Sequence, residues 1–282
     1  MKIIECPRDA MQGITSFIST DKKVTYLNAL LQVGFDTLDF GSFVSPKAIP
    51  QMRDTSEVLG RLEPSSTALL AIVANQRGAD EACQHQAINY VGYPFSVSET
   101  FQKRNTNKSI DESLILVDSI QNTCVKNHKT LVVYLSMAFG NPYGEIWHED
   151  NVTKWGEKLS QLGVEIIALS DTTGVSSPPS IRRLFTQLLS EINQVEWGAH
   201  LHTTPESWRE KVEAAYESGC RRFDGAVKGL GGCPMAHDEL VGNMPSEKLL
   251  SFCQEKRLET NIDPLAFESA YNIAINIFRN AI

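Results

Sequence analysis

Cysteine is sparse and follows no metal or redox spacing: Cys6, Cys83, Cys124, Cys220, Cys233 and Cys253 are scattered, and C-x-x-C occurs nowhere. That excludes a zinc ribbon and a thioredoxin-type motif. A chain of 282 residues also buries enough core to need no disulfide framework. Excess positive charge is missing too. A net charge of −8 argues against nucleic acid or an anionic membrane surface as the main partner, while local Arg and Lys can still hold an anionic small molecule. No apolar run is long enough to span a bilayer, and the opening MKIIECPRD has neither a signal-peptide h-region nor transit-peptide character, so a reducing cytoplasmic setting is expected. Repeats, low-complexity tracts and linkers are absent, so residues 1–282 are expected to form a single domain. The first β–α turn carries no G-x-G-x-x-G, which counts against the doubly wound dinucleotide fold.

What remains is an ordinary soluble composition, 42% hydrophobic and 21% charged, arranged as short β-rich runs alternating with longer segments of helical period. Strands are predicted over 2–6, 37–41, 67–74, 87–91 (the weakest), 130–136, 164–170, 195–202 and 221–226. Helices are predicted over 21–33, 50–62, a short piece near 79–84, 110–127, 149–162, 180–192, 206–218 and 246–256, with a polar loop before residue 110. Thr20 and Ser109 read as N-caps, and Gly34, Gly163 and Gly219 as helix stops. About eight β–α units in a row is the count of an α/β (β/α)8 TIM barrel. A leftover amphipathic segment, 264–279, is expected to pack on it as an additional C-terminal helix.

In such a barrel the chemistry sits where strands end at their C-terminal side. The run VEWGAHLH puts His200 and His202 on one face of a strand, roughly 6.5–7 Å apart. The other strand ends deliver Glu5-Cys-Pro-Arg8-Asp9, Asp39-Phe-Gly-Ser42, Ser136 and Asp171-Thr-Thr-Gly174, and the last is followed by Gly229-Leu-Gly-Gly-Cys233 with Asn243 further on. Taken singly, these are an ion pair, a turn and a small buried thiol. Their convergence on one rim is the argument for a site. One carboxylate, two imidazoles and an amide oxygen make a mixed N/O ligand set that suits Mg²⁺ or Mn²⁺ and also admits Zn²⁺, Co²⁺ or Fe²⁺. Such an ion acts as Lewis acid and template on a chelating hydroxy or keto acid. An adjacent arginine stabilises charge developing on an oxygen, and the glycines around Cys233 allow its thiol to swing over a substrate.

These residues, in this order, resemble the 3-hydroxy-3-methylglutaryl-CoA (HMG-CoA) lyase family of TIM-barrel metallolyases over nearly the whole chain. PRDAMQ is similar to P-R-D-G-L-Q, and GSFVSPKAIPQMRDTSEV to T-S-F-V-S-P-K-x-V-P-Q-M-x-D-x-x-E-V. SETFQKRNTNKSIDESL is similar to S-E-x-F-x-x-x-N-I-N-x-S-I-x-E-S, GLGGCPMA to G-L-G-G-C-P-x-A, and Gly242-Asn243 to a later G-N. The resemblance implies cleavage of HMG-CoA to acetoacetate and acetyl-CoA by a retro-Claisen step, with an acyl-CoA as the small-molecule partner. By position it implies Asp9, His200, His202 and Asn243 as metal ligands, Arg8 on the thioester carbonyl and Cys233 as a mobile catalytic thiol. Asp39 falls where the family has glutamate, and Glu5, Gln12, Ser42, Ser136 and Asp171 fall at the substrate pocket. The proton-accepting base stays open among Asp39, Asp9, a histidine such as His200, and water. A homodimer and a place in leucine breakdown are expected by the same analogy. The alternatives are a lyase for a related 3-hydroxy acyl-CoA and an acetyl-CoA-dependent condensing synthase; synthases usually carry an extra C-terminal region, and this chain stops shortly after the barrel. Four departures stand out: Thr203 follows the histidines where the family has an acid, Ala168 and Ser170 alter its S-x-G-D-T, Asp39 is one methylene short, and Ala10 replaces a glycine.

Overall fold

The computed structural model describes residues 1–232 and 241–279. Its first half runs β1 (Lys2–Glu5), α1 (Pro7–Gln12), α2 (Thr20–Leu31), β2 (Thr37–Ser42), α3 (Thr55–Leu59), β3 (Ala68–Ile72), α4 (Gln76–Gln84), β4 (Ile88–Ser96), α5 (Glu99–Thr106), α6 (Ile110–Lys126) and β5 (Thr130–Ser136). The second half runs α7 (Glu149–Gln161), β6 (Ile166–Ser170), α8 (Pro178–Glu191), β7 (Glu196–His200), β8 (His202–Thr203), α9 (Trp208–Glu217), β9 (Arg222–Gly225), β10 (Gly242–Asn243), α10 (Ser246–Glu255) and α11 (Pro264–Phe278).

Strands β1 to β7 and β9 pair in sequence order, all parallel, and close into a barrel when β9 returns to β1 with Lys2 opposite Arg222. The expected (β/α)8 barrel is therefore the fold. Parallel strands covered on both faces read as near-continuous apolar runs, which is why β2, β5 and β6 are buried almost throughout. Leu70, Ile72, Val132, Tyr134, Ile166 and Ala168 fill the lumen as one cluster, while a larger cluster packs the helices on the outside. The C-terminal helix α11 docks on α2, where Asp263 N–H donates to Val33 O at 2.8 Å and Phe278 meets Tyr26 edge-on.

Several elements differ from the sequence expectation. The polar stretch before residue 110 contains α5, capped by Ser98 and buried only through Phe101 and Gln102. The helix expected over 50–62 is broken at Arg53-Asp54 into a 3₁₀ turn, Pro50–Met52, and α3. The weak strand expected at 87–91 is β4, nine residues long, which runs on through Gly92 and Pro94. A Cβ at Gly92 would crowd the tip of the Ile72 side chain inside the lumen. The strand expected over 195–202 stops at His200, and His202 begins a separate two-residue strand paired antiparallel with β10.

Candidate active site

The chain turns at Cys6 straight from β1 into α1, with Pro7 in the first helical turn where its missing N–H costs nothing. One helical turn then presents Arg8, Asp9 and Gln12 together. Arg8 NH1 donates to Asp9 Oδ1 and to Gln12 Oε1, both at 2.9 Å, and Gln12 Nε2 donates to Asp9 Oδ1 at 2.6 Å. From the neighbouring β2, Asp39 faces the same guanidinium. Arg8 Nε lies 3.2 and 3.0 Å from its two oxygens and NH2 lies 2.5 Å from Oδ2.

His200 ends β7 and His202 opens β8, across a turn made by the buried Leu201. The antiparallel pairing of His202 with Asn243 carries Asn243 to the same place, where its amide nitrogen donates to Asp9 Oδ2 at 2.7 Å and to Leu230 O at 2.8 Å. With the nitrogen so used, the amide oxygen is the atom left for a cation. The imidazole centroids are 5.6 Å apart, and one ligand atom each from Asp9, His200 and His202 lie within 4.8 Å of one another. Three convergent N/O donors of this type fit a divalent cation.

The charges around these donors are arranged accordingly. Burial, then the neighbouring His200, pushes His202 down to about 4, so its ring is neutral at neutral pH, as a ligand must be. Burial also works against the His200 cation, but the hydrogen bond and charge of Asp224 outweigh it and raise its pKa. Asp224 Oδ2 lies 3.1 Å from His200 Nδ1; with Nδ1 donating to that oxygen, Nε2 of the neutral ring is the atom that offers a lone pair to a cation. Asp9 is pushed up by burial, and Arg8, His200, Asn243 and His202 together bring it below the ordinary carboxylate range. Asp39 ends higher, at about 6, because burial and the charges of Asp9 and Asp224 exceed the pull of Arg8. Burial opposes the Arg8 charge, and Asp39 with Asp9 more than restores it.

A cavity of about 220 Å³ opens over this cluster. Arg8, Asp9, Gln12, Ser136, His200 and His202 form its polar side, and Val44, Ile49, Ile72, Pro94, Phe101 and Tyr134 an apolar side. Glu5, Asp39, Ser42, Asp171 and Asn243 are buried at the rim but do not line the cavity. Glu5 accepts from Val227 N at 2.9 Å and from the Ser246 hydroxyl. Ser42 Oγ accepts from Val44 N at 3.1 Å, and Asp171 is held by Ser176 and Lys211. Cys233 lies outside the described residues. Sequence reasoning missed Asp224, although it lies within the predicted strand 221–226, two residues from its end. It also missed Lys211, whose signal was its place on the helix face shared with Ala214 and Ala215.

A family model described as HMGL-like matches residues 2–273. A hydroxymethylglutaryl-CoA lyase of Bacillus subtilis is 32% identical over 257 residues, covering 91% of this chain and 85% of that protein. A 3-hydroxy-3-isohexenylglutaryl-CoA/hydroxymethylglutaryl-CoA lyase of Pseudomonas aeruginosa is 30% identical over 264 residues, covering 94% and 88%. The structure of an HMG-CoA lyase from Acinetobacter baumannii, in complex with coenzyme A and 3-methylmalate, superposes with a TM-score of 0.91 at 31% identity, covering 99% of this chain and 91% of that one. The barrel, the rim cluster and these similarities over almost the full length agree: the chain belongs to the HMGL-like family of TIM-barrel lyases.

Proposed function

We propose that this protein is a divalent-metal-dependent carbon–carbon lyase that cleaves 3-hydroxy-3-methylglutaryl-CoA to acetoacetate and acetyl-CoA. The observation that carries this reading is the meeting of the Asp9, His200 and His202 donors within 4.8 Å beside Arg8, which lines the same cavity and pairs with the buried Asp39 behind it. An ion held by Asp9, His200, His202 and the Asn243 amide oxygen, Mg²⁺ or Mn²⁺ by its mixed N/O donors, would supply Lewis-acid polarisation of the substrate's hydroxyl and carboxylate oxygens. Asp39, raised to about 6, is ionised at neutral pH yet basic enough to accept the C3 hydroxyl proton. As that proton leaves, the C3–O bond becomes a carbonyl. The C2–C3 electron pair moves onto the thioester, giving the enolate of acetyl-CoA. Arg8 stabilises that enolate oxygen; protonation of Asp39 weakens its hold on the guanidinium at the moment the enolate charge appears. A proton delivered to C2 by Cys233 or water completes acetyl-CoA.

Incubation with HMG-CoA and Mg²⁺ or Mn²⁺ is expected to release acetoacetate and acetyl-CoA in equal amounts. Release of free CoA from acetyl-CoA plus 2-oxo acids, with HMG-CoA left intact, would overturn the lyase in favour of a condensing synthase. The apolar wall of Val44, Ile49, Ile72, Pro94 and Phe101 favours one second reading, a substrate whose C3 substituent is larger than methyl. A higher kcat/KM for such a 3-hydroxyglutaryl thioester than for HMG-CoA would select it.

A further inference from the structure

Lys211 lies within α9 and is 3% exposed. A buried ammonium demands a partner for each of its three N–H groups, and this one has them: Asp171 Oδ2 at 2.8 Å, Gly174 O at 2.9 Å and His202 O at 2.9 Å. The first two oxygens belong to the loop after β6. Asp171 closes that loop on itself by accepting from Ser176 N at 3.0 Å and from Ser176 Oγ at 2.5 Å. Gly174, at φ +72°, comes so close to Val241 that a Cβ would sit 2.8 Å from its side chain. Val241 adjoins β10, which carries Asn243, and β10 pairs with β8, which carries His202.

The ribbon that bears two of the four proposed ligands is only two residues wide on each side. Thr203, the residue beside His202, pairs with Gly242, and its side chain reaches Asn243 O at 3.5 Å. So short a ribbon has little stiffness of its own, and its carbonyl at His202 is tied to a saturated, buried cation. We infer that Lys211 is a positioning residue for the metal centre: it fixes the His202 backbone directly and braces Asn243 through the Asp171–Gly174 turn and Val241. The inference rests on the metal-centre reading of the site and assigns Lys211 no contact with substrate.

The test is a titration of the purified protein with Mn²⁺ alone, followed by calorimetry or by the electron-spin signal of the free ion. Lys211→Met keeps the length of the side chain and removes its charge. It is expected to raise the Mn²⁺ Kd roughly 10- to 100-fold, the usual effect of losing a group that orients a ligand. Because Lys211→Met leaves Asp171 buried without its cation, the double variant Asp171→Asn/Lys211→Met is measured beside it; with neither charge left alone it recovers thermal stability but keeps the weakened Mn²⁺ binding. A folded variant, single or double, with a Kd within two-fold of wild type, whatever its Tm, overturns the inference and leaves Lys211 a purely structural ion pair. A wild-type protein that binds no Mn²⁺ overturns instead the metal-centre reading on which it rests.

Discussion

Asp39 and Glu5 are both buried acids at the rim, and their surroundings give them opposite roles. Asp39 is paired with the guanidinium of Arg8, which itself lines the cavity. Replacing it by Asn keeps the shape and removes the base, so kcat is expected to fall by about 10²- to 10⁴-fold with Mn²⁺ binding retained; near-normal turnover would move the base elsewhere. Glu5 has no cationic partner among the described residues and is raised by burial to about 8, against the hydrogen bonds from Ser246 and Val227. Below the unfolded value near 4.5, folded and unfolded chains both hold this proton, and the stability is fully present. As pH rises from there towards 8, only the unfolded chain releases it, and stability falls. Glu5→Gln removes that loss, so its Tm should drop less than wild type between pH 5 and pH 8.5; an equal drop would show that Glu5 is ionised in the fold. His202 acts in the other direction: with its folded pKa lowered to about 4 from 6.5, its contribution is present above 6.5 and is lost as pH falls towards 4.

Among the elements, those with strong periodicity or clear caps were legible. Ser109 caps α6 through a reciprocal capping box with Glu112, as its place before an apolar run predicts. Ser109→Ala is expected to lower unfolding free energy by about 1 kcal/mol and leave turnover unchanged, as denaturant melts and an activity assay would check. Elements set by tertiary contact were not legible. α5 buries two residues, too few to mark a helical stripe, and β4 passes through Gly92 and Pro94, which locally read as a stop. The histidine pair shows both outcomes. H-x-H does bring two imidazoles together, but not by alternation along one strand: the chain leaves the barrel at Leu201, and pairing with β10 positions His202. Since β10 lies far from β8 in sequence, no local pattern announces it. The same holds for Asp224 and Lys211, whose partners lie 24 and up to 40 residues away.

At the scale of the whole molecule, barrel closure makes the site. Pairing of β1 with β9 brings Asp9 against Asn243 across 234 residues of sequence, so the proposed ligand set exists only in the folded barrel. A cation bound there and not by the unfolded chain stabilises the fold by mass action, about 2.7 kcal/mol at one hundred times its Kd. Mn²⁺ should accordingly raise the wild-type Tm, and Asp9→Asn should blunt that rise. The measurement closest to the central claim is acetoacetate release from HMG-CoA by the chelator-treated protein as Mn²⁺ is added back. The proposed function predicts no release without metal and turnover that rises and saturates with Mn²⁺. Turnover unaffected by metal removal, or no acetoacetate at saturating Mn²⁺, would contradict it.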